Sequence, residues 1–441
     1  MDPYAVAFTD WLACACAGAG ERAAKAVRAA GSDLLADVAF AGTAGHVLDF
    51  DDTFSDGVAH VSATCAPAAL VLAADLGLPW RAALDAYAAG FEAMAAVAAA
   101  SHPALYEAGW HPTAVCGPIG AAVAASHLLD LSERERDNAI AVALLRAGGT
   151  RGAFGSDGKA IQVGLAAAAG VQGALLARAG AVVDQRSVHG RLGFEGVLGA
   201  TWAAVGEADD SGSDGQCGPA IERNWIKLYP SCLGTHAPIE LAAGARDQID
   251  AETLRVVVHP VARQAAYLDD VQDGLSAKFS IPYCVAHTLL HGPPGVREFA
   301  AVDPEVRDRS RLVGVDTDPS LPEVGAVLIA GDIESARVSG PRGAPARPAK
   351  PSDLAAKLSD LAGARLDGVL DDPGAPAATV LAAAGLRSGT AGQLFAASSD
   401  DSAAGTRPGP SRSAANAPSS DSAADTAIAG ANPSLKAAGD A

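Results

Sequence analysis

Leu84-Asp-Ala-Tyr-Ala-Ala-Gly-Phe-Glu-Ala-Met94 decides how the first half of the chain is read. Leu84, Tyr87, Phe91 and Met94 recur at i, i+3, i+7 and i+10, while Arg81, Asp85 and Glu92 fall off that stripe. This is the pattern of a helix with one buried face. Outward from it, residues 1 to about 245 are rich in alanine, the best helix former, and read as helix after helix. Ser132-Glu-Arg-Glu135 is a capping box that starts another helix through Ile140, Leu144 and Leu145. No fixed-period repeat of the solenoid kind is present.

The pattern changes near residue 250. Leu254-Arg-Val-Val-Val-His259 is β-branched and stops at Pro260, which suits a strand. Leu312–Val315, Ala326–Ile329 and Ala336–Val338 are further short strands, with a helix around Tyr283–Leu290 between them. Pro351-Ser-Asp-Leu354 opens a helix through Leu358 and Leu361. The expected fold class is mainly α. Residues 1–245 and about 348–387 form a large all-helical domain, and 246–347 form a smaller α+β domain inserted before the C-terminal helices. Residues 388–441 turn to Ser, Ala, Gly, Pro and Asp with few large apolar side chains, the composition of a disordered tail.

Charge bounds the partners. The 441 residues carry 32 basic and 51 acidic side chains, a net −19, and 5% are aromatic. Such a balance argues against nucleic acid and anionic membranes, which need basic patches. Much of the acid lies in 207–214 and 268–273, away from the candidate site. Seven cysteines show no disulfide framework, and Cys14 and Cys16 lack metal or redox spacing. With no basic start typical of a signal peptide, a reducing cytoplasm is the expectation. The uncharged stretches 108–129 and 160–177 hold polar residues and many glycines, so they read as closely packed core helices.

Chemistry-bearing residues gather in His46-Val-Leu-Asp-Phe-Asp-Asp-Thr53, followed by His60. Three carboxylates and two histidines so close together are costly to bury unless they pair, coordinate or catalyse. An acidic solvated loop is the plain alternative. An aspartate-rich magnesium motif of the terpenoid-synthase kind is another, but no second metal motif accompanies it and aromatic wall residues are few. Gly109-Trp-His-Pro-Thr113 sets His111 just before an Ala-rich helix, where a ligand carboxylate would be favoured. Gly152-Ala-Phe-Gly-Ser-Asp-Gly-Lys159 opens another helix. It is not a P-loop, because Ala160 replaces the Ser/Thr that would hold magnesium, but Lys159 suits a carboxylate clamp or proton carrier. Gly193-Phe-Glu-Gly-Val-Leu-Gly199 has no strand before it and is a weak dinucleotide signal. Tyr229-Pro-Ser-Cys-Leu-Gly-Thr-His236 offers a histidine in a turn, with Cys232 read as packing, and Ala277-Lys-Phe-Ser-Ile-Pro-Tyr283 offers a lysine and a tyrosine.

These segments, in this order, resemble the MmgE/PrpD family, which contains 2-methylcitrate dehydratase, cis-aconitate decarboxylase and iminodisuccinate epimerase. The likeness covers about residues 5–385 and includes Pro341-Arg-Gly343 and the Lys357 helix. It implies an all-helical domain broken by an α+β lid, in a homodimer, with no metal or organic cofactor and the site between the domains. Carried over by motif, the site residues are Asp49, Thr53, His60, His111, Lys159, His236 and Tyr283. Here Thr53 to His60 is one residue longer than in the decarboxylase pattern, and Gln162 stands where many members have histidine.

The implied function is a lyase on a small di- or tricarboxylate, either dehydrating or decarboxylating it. An epimerase of an iminodisuccinate-like acid is the enzyme alternative, and a non-catalytic helical scaffold the other. All three reactions manage negative charge on carbon beside a carboxylate. His111 and Lys159 are expected to move protons and stabilise charge, and His60 and His236 to orient carboxylates. Asp49 would fix a histidine tautomer, and Thr53 and Tyr283 would donate hydrogen bonds.

Overall fold

The long helices pack through small residues. In the computed structural model, which describes residues 2–202, 218–246, 254–331 and 333–387, the Asp157–Arg178 helix lies among three others: Leu34–His46, Pro112–Leu128 and Glu133–Leu144. At Gly164 an added Cβ would stand 2.2 Å from the Ala39 carbonyl oxygen and 2.3 Å from Thr43 Oγ1, so only glycine permits this approach. The close crossing brings the start of one helix, with Lys159, beside the end of the other, with His46.

The expected amphipathic stripe is buried. On the Trp80–Ala100 helix Leu84, Tyr87, Phe91 and Met94 all face the protein core, where Tyr87 meets Phe8 and Phe91 edge-on. Glu92, off the stripe, accepts from the Tyr4 hydroxyl and from the Ala220 and Ile221 amides. The Ser132–Glu135 capping box forms with both of its bonds. Among the described residues two helices, Trp80–Ala100 and Asp157–Arg178, are long and apolar enough to cross a membrane, but most of each is buried in this packing.

A second apolar core is built on a four-stranded sheet in the order Val313–Thr317, Leu254–Val258, Ala326–Ala330, Ile333–Val338. The first pair is parallel and the others antiparallel. Leu254, Val256 and Val258 are buried and Arg255 is exposed, the period of two that a one-sided sheet requires. The His236–Ala245 and Ile281–His291 helices pack against it. The Pro351–Ala362 and Ala377–Ala383 helices return to the first core through Leu361, Val380 and Leu381. The mainly α class with a small α+β part is therefore what the chain adopts. The 207–214 acidic stretch and the 388–441 tail lie outside the described residues.

Candidate active site

Between the two cores lies a cavity of about 70 Å³. One end is polar, with Asp49, Thr53, His60, His111 and Lys159, and much of the rest is apolar, including Phe154, Leu233, Val261 and Phe279. The polar end depends on a turn at the end of the Leu34–His46 helix. There Asp49 takes a left-handed conformation (φ 53°), which aspartate tolerates better than most residues. Beyond it Thr53 and Phe54 pair antiparallel with Trp225 and Asn224, and the chain returns to place His60 beside Thr53.

A buried chain of hydrogen bonds runs through this end. The Asp51 carboxylate lies 2.9 Å from His46 Nδ1, so that nitrogen carries the proton and donates. His46 Nε2 is then an acceptor, and Lys159 Nζ donates to it at 2.8 Å. A second Lys159 donor goes to Asp49 Oδ1 at 2.7 Å. An ammonium has three donors, which leaves one for a ligand. The Lys159 amine also stands 5.5 Å from the ring centres of both Phe154 and Phe279.

The other two histidines take opposite tautomers. His60 Nδ1 lies 3.0 Å from the Asp52 carbonyl, an acceptor only, so Nδ1 is protonated and Nε2 keeps a free lone pair. That Nε2 is 3.8 Å from Asp49 Oδ1. At His111, Gln162 Nε2 lies 2.6 Å from Nδ1. Thr150 fixes the amide's direction, because its N–H donates to Gln162 Oε1 while its carbonyl accepts from Gln162 Nε2. His111 Nδ1 is therefore an acceptor, and its proton sits on Nε2. One histidine offers a base and the other an acid.

Burial dominates the electrostatics. It pushes His46 down to about 4, and it lowers His60 and drives His111 well below the ordinary histidine value, with the Lys159 charge adding to each. All three are neutral near pH 7, so they serve as hydrogen-bonding and proton-transfer groups rather than as cations. Burial would raise Asp49, but the Lys159 and Lys227 charges overcome it and hold the carboxyl well below its usual range. Asp51 is likewise held low, by His46 and His60. Asp52 is pushed up to about 8, by burial first and then by Asp10 and Asp51.

Ligand atoms of His46, Asp49 and His60 lie within 4.8 Å of one another, close enough to share a cation. The Lys159 amine already bonds two of the three, so a metal ion there would have to displace it.

Five of the seven expected residues meet at the cavity. His236 is fully buried elsewhere, with Nε2 3.2 Å from the Ser231 carbonyl and its ring against Tyr229, while Cys232, Leu233 and Gly234 face the cavity. Tyr283 is fully buried too, and its hydroxyl accepts from the Asp303 amide at 3.0 Å. Asp49 pairs with Lys159, and it is Asp51 that sets a histidine tautomer, that of His46. His46 and Asp51 belong to the same His46–Thr53 motif, and their part in the chain of bonds comes from the fold. Their spacing of five residues brings them together only because the helix ends at His46.

The MmgE/PrpD N-terminal domain matches residues 2–203, and the MmgE/PrpD C-terminal domain matches residues 229–372. The chain belongs to the MmgE/PrpD family. Among curated relatives of this MmgE/PrpD chain, cis-aconitate decarboxylase of Mus musculus is 27% identical over 299 residues, covering 64% of this chain and 60% of the relative. The Homo sapiens cis-aconitate decarboxylase is 27% identical over 307 residues, covering 63% and 60%. A cis-aconitate decarboxylase-like protein of Aspergillus oryzae is 40% identical over 115 residues, 25% of this chain and 24% of that one. The matches thus span about 60% of the length of the first two relatives.

Proposed function

We propose that this MmgE/PrpD protein is a cofactor-independent lyase acting on a small di- or tricarboxylate, as a cis-aconitate decarboxylase does. One observation carries the reading. Lys159 Nζ is shared between His46 Nε2 at 2.8 Å and Asp49 Oδ1 at 2.7 Å, on the same cavity as a protonated His111 Nε2 and an unprotonated His60 Nε2. The remaining Lys159 donor and the His111 N–H receive a substrate carboxylate. Thr53 and the apolar wall position the rest.

For decarboxylation, the C–C bond to the departing carboxylate breaks and CO₂ leaves. The electron pair stays on carbon, spread into the neighbouring unsaturated acid. A proton from His111 or Lys159 then forms the new C–H bond. Dehydration uses the same groups in a different order: His60 Nε2 takes a proton beside a carboxylate, and His111 protonates the departing hydroxide. Similarity to the two decarboxylases favours the first reaction. An epimerase would need only proton removal and return.

Incubation with cis-aconitate, 2-methylcitrate and iminodisuccinate in D₂O, followed by NMR, separates the three. Loss of CO₂ from cis-aconitate with one deuterium fixed in the product is the expected result. No change in any of the acids would refute the lyase reading.

A further inference from the structure

Three lysines from separate parts of the chain meet three consecutive carbonyls of the turn that carries Asp49. Lys278 Nζ donates to the Leu48 carbonyl and Lys227 Nζ to the Asp49 carbonyl, both at 2.5 Å, and Lys357 Nζ to the Phe50 carbonyl at 2.6 Å. All three side chains are buried, with exposures of 4%, 1% and 5%. Lysine is almost never so deeply buried unless its charge is used.

Carboxylate pairing alone does not explain the arrangement. Lys357 also pairs with Asp10 at 2.6 Å, and Lys227 lies 3.4 Å from Asp49 Oδ2. Lys278 forms no ion pair among the described residues. Its amine meets the Leu48 carbonyl and lies 5.3 Å from the Phe299 ring centre. The turn itself needs holding, because a left-handed aspartate is an unfavourable conformation that persists only where its surroundings impose it.

The three lysines also come from elements far apart along the chain. Lys278 follows the short Gly274–Ala277 helix next to the second core, Lys227 follows the strand that pairs with Thr53–Phe54, and Lys357 lies on the Pro351–Ala362 helix. Lys357 Nζ further donates to the Lys227 carbonyl at 3.0 Å, which ties two of the three together.

We propose that Lys227, Lys278 and Lys357 are positioning residues. They form a carbonyl clamp that fixes the turn at 48–50, aims Asp49 at Lys159, and so makes a working site depend on docking of the second core. The proposal rests on the reading of the Asp49–Lys159 pair as part of the active site.

The test uses the full chain with Lys278→Met and Lys278→Arg. Methionine keeps the side-chain stem and loses the donor, whereas arginine keeps a cationic donor. Two measurements are made: kcat and KM on cis-aconitate, and amide hydrogen exchange of the turn against global unfolding. Lys278→Met should lower kcat about tenfold to hundredfold with KM changed less than about twofold, the cost of a misplaced group. Exchange at the turn should quicken at least about tenfold while global unfolding moves little. Lys278→Arg should restore most of kcat. Unchanged turn exchange in Lys278→Met, or a kcat loss that only follows the unfolded fraction, would overturn the clamp. If the wild type turns over no acid, the lyase reading fails, and the exchange result still decides the clamp.

Discussion

Gln162 donates its side-chain amide to His111 Nδ1 at 2.6 Å, and Thr150 holds that amide from both sides. The pair fixes the His111 proton on Nε2, facing the cavity. Gln162→Leu removes this control without adding charge, so both neutral tautomers become populated. The expected loss in kcat is about tenfold, below the 10²–10⁴ range for losing a general acid altogether. Histidine ¹⁵N chemical shifts should show His111 as one tautomer in the wild type and as a mixture in Gln162→Leu. A single unchanged tautomer in the variant would contradict the assignment.

Lys159 and Asp49 should couple in opposite senses for stability and activity. Lys159→Met leaves the buried Asp49 charge with Lys227 at 3.4 Å and should cost about 3–5 kcal/mol, as breaking a buried ion pair does. Adding Asp49→Asn removes the stranded charge and should recover much of that stability without recovering activity. Denaturant unfolding of the two single variants and the double variant measures this directly. A double variant no more stable than Lys159→Met would argue against the pair.

Asp52 gives the protein an unusual pH slope. Its native carboxyl is raised to about 8, against roughly 3.9 in an unfolded chain. Between those values the unfolded chain has lost this proton and the native protein keeps it. Its contribution to stability therefore falls as pH rises, by up to about 1.4 kcal/mol per pH unit, and levels off above 8. Asp52→Asn should flatten this slope and raise Tm at pH 8. Asp49 and Asp51 act in the other direction: held low in the native state, they stabilise above about pH 4 and lose that contribution as pH falls further. Thermal unfolding from pH 3 to 9 in wild type and Asp52→Asn tests both arms.

Gly164 controls how closely the Lys159 and His46 helices approach. Gly164→Ala places a methyl where the Ala39 carbonyl and Thr43 Oγ1 already stand, and should cost about 1–3 kcal/mol by overpacking. Because the same crossing sets the 2.8 Å Lys159–His46 bond, activity should fall in the protein that remains folded. Gly244, with open space around it, is the control position, and Gly244→Ala should leave activity intact.

Local patterns made most of the fold legible. The Leu84–Met94 stripe, the Ser132 capping box and the β-branched Leu254–Val258 run all depend on near neighbours, and each forms where it was expected. Within the site, the His46–Thr53 segment, His111 and Lys159 stood out because such residues are scarce in an Ala-rich chain. The roles of His236 and Tyr283 were a different matter. Which side of a turn faces a cavity depends on the fold around it, and Cys232, Leu233 and Gly234 face it while His236 turns behind. Lys278 stood in the Ala277–Tyr283 segment and Lys357 in the family likeness, but the shared partner of these two and Lys227 was hidden, because their carbonyl acceptors lie between about 180 and 310 residues away along the chain. The left-handed backbone at Asp49 was equally hidden, since the lysines that hold it are so remote in sequence.

The most direct test of the account is turnover of cis-aconitate in D₂O by the wild type and by Lys159→Met, followed by NMR. The wild type should release CO₂ and place one deuterium on the product carbon, and the variant should be slower by about 10²–10⁴. Equal rates in the two proteins would contradict the account, because the shared Lys159 amine would then have no part in the chemistry.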